Sequence, residues 1–204
     1  MGITIHYHGR INDHAAVDIL AEEVEDLAHE LGWDSQRWNE DWAKPNTAAI
    51  SHKRGIPHIT GHLPLRGLHL IPHKNSEPVW LTFTSEGYLV DTMGMVLIAE
   101  GEAKPEDVWV GTKTQFAPIE THIIVIKLLK YLKKRYILNL EVHDEGGYWD
   151  TGDINELKRR FNTINRSMDI LEDALDKMPL INTNHSVKDL ADMIEEMLKK
   201  KFGR

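Results

Sequence analysis

The chain has 204 residues, 41% of them hydrophobic and 27% charged, which is the composition of a globular protein with one good-sized core. It has no cysteine, which excludes a disulfide framework, a thiolate metal site and a cysteine nucleophile. A formal net charge of −8 argues against a nucleic-acid partner, whose phosphates require clustered lysine and arginine, whereas 12 histidines supply many side chains able to bind metal.

The N-terminal segment predicts a strand followed by a helix. Apolar and polar side chains alternate from Ile3 to His8, as in a strand with one buried face. The helix predicted over residues 14–31 ends at Gly32, and its apolar stripe consists of Val17, Leu20, Val24, Leu27, Ala28 and Leu31. No basic segment followed by an apolar one precedes the strand, and no apolar run reaches the roughly 20 residues of a membrane span. We therefore expect a cytoplasmic protein without a membrane partner.

Half of the six tryptophans follow this helix, at positions 33, 38 and 42. The spacing of Trp38 and Trp42 indicates a short helix that carries both rings on one face. The tryptophans then either fix a loop to the core or form the wall of a pocket or an interface.

The segment from residue 48 to residue 91 predicts five strands. Their expected ranges are 48–52, 57–63, 67–71, 79–84 and 87–91, with a hairpin turn at residues 85–87. Prolines and short intervals between the strands favour a meander, and therefore antiparallel pairs. Residues 92–102 are compatible with either a short helix or a buried strand.

A long buried helix, expected over residues 118–137, is the central element of the chain. Pro118 suits the first helical turn, and apolar residues recur at helical spacing from Val125 to Tyr136. The β-branched run at residues 123–126 is also compatible with a strand, but the start signal and the length of the pattern favour a helix. A short strand and an acidic loop rich in glycine and aromatic residues follow, up to Asp150.

The C-terminal part predicts two further helices. Asp153 and Glu156 form a capping box at the start of the first. Its apolar residues follow a heptad, and this seam consists of Leu157, Phe161, Ile164, Met168, Leu171, Leu175 and Met178. A second helix, residues 186–201, follows a connection at residues 180–185, so an antiparallel helical hairpin is expected.

Together these elements predict an α+β fold. The expected architecture is a mainly antiparallel sheet with two helices, residues 14–31 and 118–137, packed on one face. The C-terminal helical hairpin, residues 153–204, is expected to be appended to the α+β core domain, residues 1–152.

One polar constellation is a candidate functional site. The apolar residues of the first strand face the core, so His6 and His8 share its outer face, and Glu141 and His143 share that of the strand after the long helix. The strand–helix order at both ends of the chain favours neighbouring positions for these two strands. The four side chains then converge on one face of the sheet.

Imidazoles combined with carboxylates bind zinc, manganese or iron, and an open coordination position activates water. The sequence thus suggests a divalent metal held by His6, His8 and His143, with Asp144 or Glu145 as the catalytic general base. No established metal motif supports this set. One alternative is a solvated sheet face whose histidines bond to Glu141 or to backbone. A third interpretation is a histidine-based response to pH.

The leading functional hypothesis is an interaction or regulatory module without catalysis of its own. No phosphate-binding loop, nucleophile elbow or other catalytic motif is present, whereas the heptad seam and the tryptophans suit a protein partner or a homodimer through the C-terminal helices. The alternative is a metal-dependent hydrolase that uses the histidine and acid cluster. Whether the chain is an enzyme is left open by the sequence.

Overall fold

The structure is a computed structural model that describes residues 2–176, except the side chains of residue 167 and residues 170–176. The strands are β1 (Thr4–His8), β2 (Asp34–Asn39), β3 (Ala49–Lys53), β4 (Ile56–Thr60), β5 (Arg66–Ile71), β6 (Val79–Phe83), β7 (Val110–Lys113) and β8 (Glu141–Asp144). The helices are α1 (Ala15–Leu31), α2 (Thr92–Ala99), α3 (Ile119–Arg135), α4 (Tyr148–Thr151) and α5 (Ile154–Asp176), with a 3-10 turn at Pro105–Asp107. Two compact units are present, Met1–Phe161 and Asn162–Arg204, and all described strands belong to the first.

The α+β class and the antiparallel pairing are confirmed, with the strands divided among three small sheets. Their strand orders are β7-β1-β8, β2-β5-β6 and β3-β4. The predicted strand at residues 87–91 instead makes isolated bridges, from Tyr88 to Arg10 and from Leu89 to Phe83. Residues 92–99, ambiguous in sequence, form α2, whose first turn is capped by the Asp91 carboxylate at 2.7 Å from Gly94 N.

One core contains the inner faces of β1, β5 and β6 together with the apolar sides of α1 and α3. Tyr7 is fully buried in this core, and its hydroxyl accepts a hydrogen bond from Trp80 N at 2.8 Å and donates one to Trp80 O at 3.1 Å. This hydroxyl therefore provides a partner for both the N–H and the C=O of Trp80 in β6. Burial raises the pKa of Tyr7 far above its ordinary value.

The predicted stripe of α1 is only partly buried. Val17, Leu20 and Val24 are in the core, but Leu27 is 36% exposed and Leu31 is 42% exposed. Helical periodicity places all of them on one side of the helix, but Ala28, one residue beyond Leu27, is only 1% exposed, so Leu27 lies at the edge of the buried stripe. Leu27 is consequently available at the surface beside α3.

The short helix predicted around Trp38 is wrong, because residues 34–39 form strand β2. Two residues four positions apart share a face in a helix and also in a strand, so this spacing alone did not discriminate. Trp38 lies opposite Gly67 of β5, and its indole Nε1 donates to His69 Nδ1 at 3.0 Å. Trp42 lies beyond β2, and its indole donates to Phe83 O at 3.1 Å.

Helix α5 begins where the sequence predicted it. The Asp153 carboxylate accepts hydrogen bonds from Asn155 N at 2.7 Å and from Glu156 N at 3.3 Å. Leu157 and Phe161, the first two seam residues, are buried in the first compact unit. The connection at 180–185, the last helix at 186–201 and Met178 lie outside the described residues. Within residues 2–176, no helix has the length and apolar character to cross a membrane.

Candidate functional site

The outer face of the sheet β7-β1-β8 carries the predicted metal ligands. Strands β1 and β8 pair in antiparallel fashion, which confirms that the strand after the long helix is a neighbour of the first strand. In this register His6 lies directly opposite His143, and His8 lies directly opposite Glu141. These four side chains consequently occupy two adjacent rows on one face.

His6 and His143 are close neighbours. Their ring centroids are 6.2 Å apart and their planes are inclined by only 29°. His143 is exposed and His6 is half-buried. On the other side of His6, strand β7 has Gly111, which has no side chain to cover the imidazole. Both rings are therefore open to a ligand from solvent.

His8 lies one row away and has partners of its own. Its Nδ1 is 2.9 Å from Val108 O, and its ring centroid is 5.5 Å from that of Trp109. A carbonyl oxygen can only accept, so Nδ1 carries the proton and Nε2 holds the lone pair in the neutral ring. His8 thus has a defined tautomer, but its ring is directed to Trp109.

The two predicted general bases occupy different positions. The Glu145 carboxylate accepts a hydrogen bond from Thr4 N at 2.7 Å, and Glu145 O accepts one from the Arg160 guanidinium at 2.9 Å. Asp144 is on the opposite, inner face of β8, where it lies opposite Ile5 and is 6% exposed. The structure brings His6 and His143 together and keeps Asp144 on the other side of the sheet.

Among the residues described, no group of three or more histidine or acidic side chains is arranged to hold a metal ion. The pair formed by His6 and His143 is therefore the part of the predicted ligand set that the fold assembles directly.

A buried polar chain of three side chains lies behind this sheet. His122 of α3 has Nδ1 at 2.8 Å from Thr114 Oγ1 and Nε2 at 3.1 Å from Asp144 Oδ1. Both members of the His122–Asp144 contact have fully buried side chains, and the Phe161 ring packs edge-on against His122. The same carboxylate accepts hydrogen bonds from Gly146 N at 2.7 Å and Trp149 N at 2.9 Å, which fix the loop after β8.

Two opposing effects act on the Asp144 carboxyl. Burial raises its pKa, but the contact with His122 and the backbone donors of Trp149 and Gly146 outweigh burial, so the pKa lies below its ordinary value. The close fit extends to Gly146, where an added Cβ would come within 2.8 Å of His122 Nε2. The network of Thr114, His122 and Asp144 has the composition of a hydroxyl–imidazole–carboxylate triad. Because these side chains are buried, the network has a structural role.

His122 was missed by the sequence-based assignment of site residues. The available signal was its position on α3, in phase with Val125 and Leu129 on the buried side of the helix. A histidine in phase with a buried stripe needs a polar partner inside the protein.

A second surface feature is a groove between α1 and α3 with a volume of about 410 Å³. It is lined by Glu23, Val24, Asp26, Leu27, Glu30, Leu128 and Tyr131. Glu23 is engaged at one end, where it accepts hydrogen bonds from Tyr131 and Tyr136 and lies 3.3 Å from Arg135 Nε. The hydrogen bond from Tyr131 is the largest of several effects that lower the pKa of Glu23.

Comparisons with protein-family models, with characterised proteins and with solved structures find no match for this chain.

Proposed function

We propose that this protein is an interaction module that binds a basic, amphipathic segment of a partner protein in the groove between α1 and α3. The observation that supports this most directly is the combination of an exposed apolar floor with carboxylates at the rim. Leu27 and Tyr131 are 36% and 39% exposed within the groove, and Asp26 and Glu30 flank them on α1. Among the side chains that the structure describes, no ion pair involves these two carboxylates.

The chemistry of the groove selects the partner. Apolar burial against Leu27, Leu128 and Tyr131 supplies affinity, and uncompensated carboxylates favour lysine or arginine and fix the orientation of the segment. An amphipathic helix presents both kinds of side chain at intervals of three and four residues, which suits a shallow groove between two helices. A single short helix buries little surface in such a groove, so it binds transiently, as regulatory contacts do.

Two carboxylates at the rim, those of Asp26 and Glu30, should govern the affinity for a basic segment. In the double variant Asp26→Lys/Glu30→Lys, we expect the affinity for a labelled synthetic helix of leucine and lysine to fall at least about tenfold, because attraction becomes repulsion. Fluorescence anisotropy with the full chain at low and physiological salt measures this change.

Glu22→Lys is the matched control for this experiment. Glu22 is an exposed acidic residue of α1 outside the groove lining, so its reversal changes the net charge with little effect on docking. If Glu22→Lys and a single Glu30→Lys variant lose the same amount of affinity for the synthetic helix, the binding reflects only general electrostatic attraction. That result, or absence of binding to the unmodified chain, would reject the groove as the docking site.

A second copy of the chain is another candidate partner, in a homodimer formed through the C-terminal helices, and features of α5 support it. Leu157 and Phe161 are buried in the first unit, whereas Met168, further along the same seam, is 44% exposed. The helix begins with basic residues and ends with acidic ones, so an antiparallel arrangement of two copies places opposite charges together.

We expect sedimentation velocity to show a dimer fraction that rises with protein concentration and is lost in Met168→Glu, because a buried carboxylate opposes apolar contact. Asn165→Glu adds the same charge at an exposed position outside the seam and serves as the control. A single monomeric species over the whole concentration range would exclude this dimer.

The metal-dependent hydrolase is the competing proposal, and the pairing of His6 with His143 is the observation in its favour. It requires a base beside the metal-bound water. Glu145 is on the same face as the histidines but already binds Thr4 N, and this proposal gives Asp144 no catalytic role. Zinc-dependent hydrolysis of an activated ester, lost in His143→Asn, would favour the hydrolase over the interaction module.

A further inference from the structure

We propose that His6 and His143 form a two-histidine site for a divalent transition-metal ion that clamps β8 to β1. The inference is independent of the groove between α1 and α3. It rests on the cross-strand position of the two residues and on the short distance between their rings. The ion would complete its coordination sphere with water on this open face of the sheet.

The separation of the rings fits one shared ion. A metal–nitrogen bond to histidine measures roughly 2.0–2.1 Å, which places the ring centroid roughly 3 Å from the ion. Two rings on opposite sides of one ion are then roughly 6 Å apart, and closer when the bond angle is smaller. The observed 6.2 Å is close to this limit, and rotation of the two side chains, one half-buried and one exposed, would bring both nitrogens to the ion.

The donor set determines which ions are accepted. Imidazole nitrogen suits zinc, nickel and copper, whereas magnesium and calcium prefer oxygen ligands. Among divalent ions of this class, copper binds a given nitrogen site most tightly. The neighbouring row supplies Glu141, an exposed carboxylate opposite His8 that adds favourable charge on the same face.

Such a site acts on one of the two edge strands of the sheet. Strand β8 has only four residues and lies at the edge of the order β7-β1-β8. An ion bound by one residue from each strand requires their native pairing, so it stabilises the folded state. His143 is followed directly by Asp144, the last residue of β8, and by Glu145, so the clamp also holds the start of the loop that follows the strand.

The test is a titration with Cu²⁺ and Zn²⁺ of the unmodified full chain and of three variants. Two variants, His6→Asn and His143→Asn, change the site, and the third, His52→Asn, is the control. His52 is an exposed histidine on β3, and its opposite residue is Pro57, so it has no cross-strand histidine. In the unmodified chain, we expect calorimetry to show one bound equivalent of ion and thermal unfolding to show a higher Tm with the ion. Either site variant should lose affinity for the ion at least about tenfold, and the control should not.

Paramagnetic resonance of the Cu²⁺ form gives a second measurement that does not depend on stability. The spectrum should show coupling to two histidine nitrogens in the unmodified chain and to one in each site variant. Circular dichroism confirms the fold of the variants, since asparagine at either position leaves the core untouched. Unchanged affinity and nitrogen coupling in His143→Asn, or loss of binding in His52→Asn, would overturn the proposal.

Discussion

Replacing Asp144 by alanine should lower the free energy of unfolding by about 3 kcal/mol at neutral pH. The substitution leaves His122 buried without its charged neighbour and removes the acceptor of two backbone N–H groups, those of Gly146 and Trp149. Each buried polar group that loses its partner pays the cost of desolvation. Urea denaturation of the full chain, followed by tryptophan fluorescence, measures the difference.

The same variant has a defined pH dependence. The pKa of Asp144 is lowered in the folded state, so its ionised form stabilises the protein at pH values above the unfolded-state pKa, about 3.9. That contribution is lost as pH falls from there through the lower folded-state pKa. The stability difference between Asp144→Ala and the unmodified chain should therefore be constant near neutrality and become smaller below about pH 4.

Asp150→Asn is the appropriate control, because Asp150 is an exposed acidic residue of the same segment. Its substitution should change the free energy of unfolding by no more than about 0.5 kcal/mol. Equal effects at residues 144 and 150 would contradict a buried polar chain that holds the loop after β8.

The outer histidine face was predictable because strand periodicity is strict. Alternate side chains of a strand point to opposite faces, so the apolar residues of β1 fixed the direction of His6 and His8 without further information. The same argument placed Glu141 and His143. The strand–helix order at both ends of the chain favoured neighbouring positions for the two strands, and the register that sets His6 against His143 confirms them.

The inner network and the groove were beyond this kind of inference. Periodicity shows that a residue faces inward, but it does not show which distant residue it meets, and Asp144 reaches His122 only through the packing of α3 behind β8. Likewise, the stripe of α1 predicted burial for Leu27, whereas this residue lies at the edge of the buried stripe and is partly exposed in the groove beside α3. Both features depend on tertiary contacts between separate elements.

The division into three sheets has a similar origin. Local pattern and turns identified the four strands β3 to β6, but a strand pattern does not specify the sheet to which a strand belongs. Strand β2 was assigned to a helix because the spacing of Trp38 and Trp42 fits both structures. Its partner, β5, contains Gly67, whose backbone conformation disfavours any residue with a Cβ.

Gly67→Ala should destabilise the protein by about 3 kcal/mol or more. Gly67 has a φ of +123°, and a Cβ at this position would lie 2.2 Å from Leu81 O. Strand β5 is the central strand of β2-β5-β6, so a backbone oxygen can move away only by separation of β5 from β6. Thermal unfolding of the full chain should show a large decrease in Tm.

Gly32→Ala separates the steric effect from the effect of backbone conformation. Gly32 also has a positive φ, +68°, but no atom lies within 4 Å of the position its Cβ would occupy. This control should therefore cost only the conformational part, roughly 1–2 kcal/mol. The aromatic cluster of Trp38, His69 and Trp80 spans the three strands of this sheet, so tryptophan emission should change in Gly67→Ala and not in the control. Equal losses of stability with unchanged emission in both variants would show that β5 and β6 tolerate the methyl group, contrary to the close approach of Gly67 to Leu81.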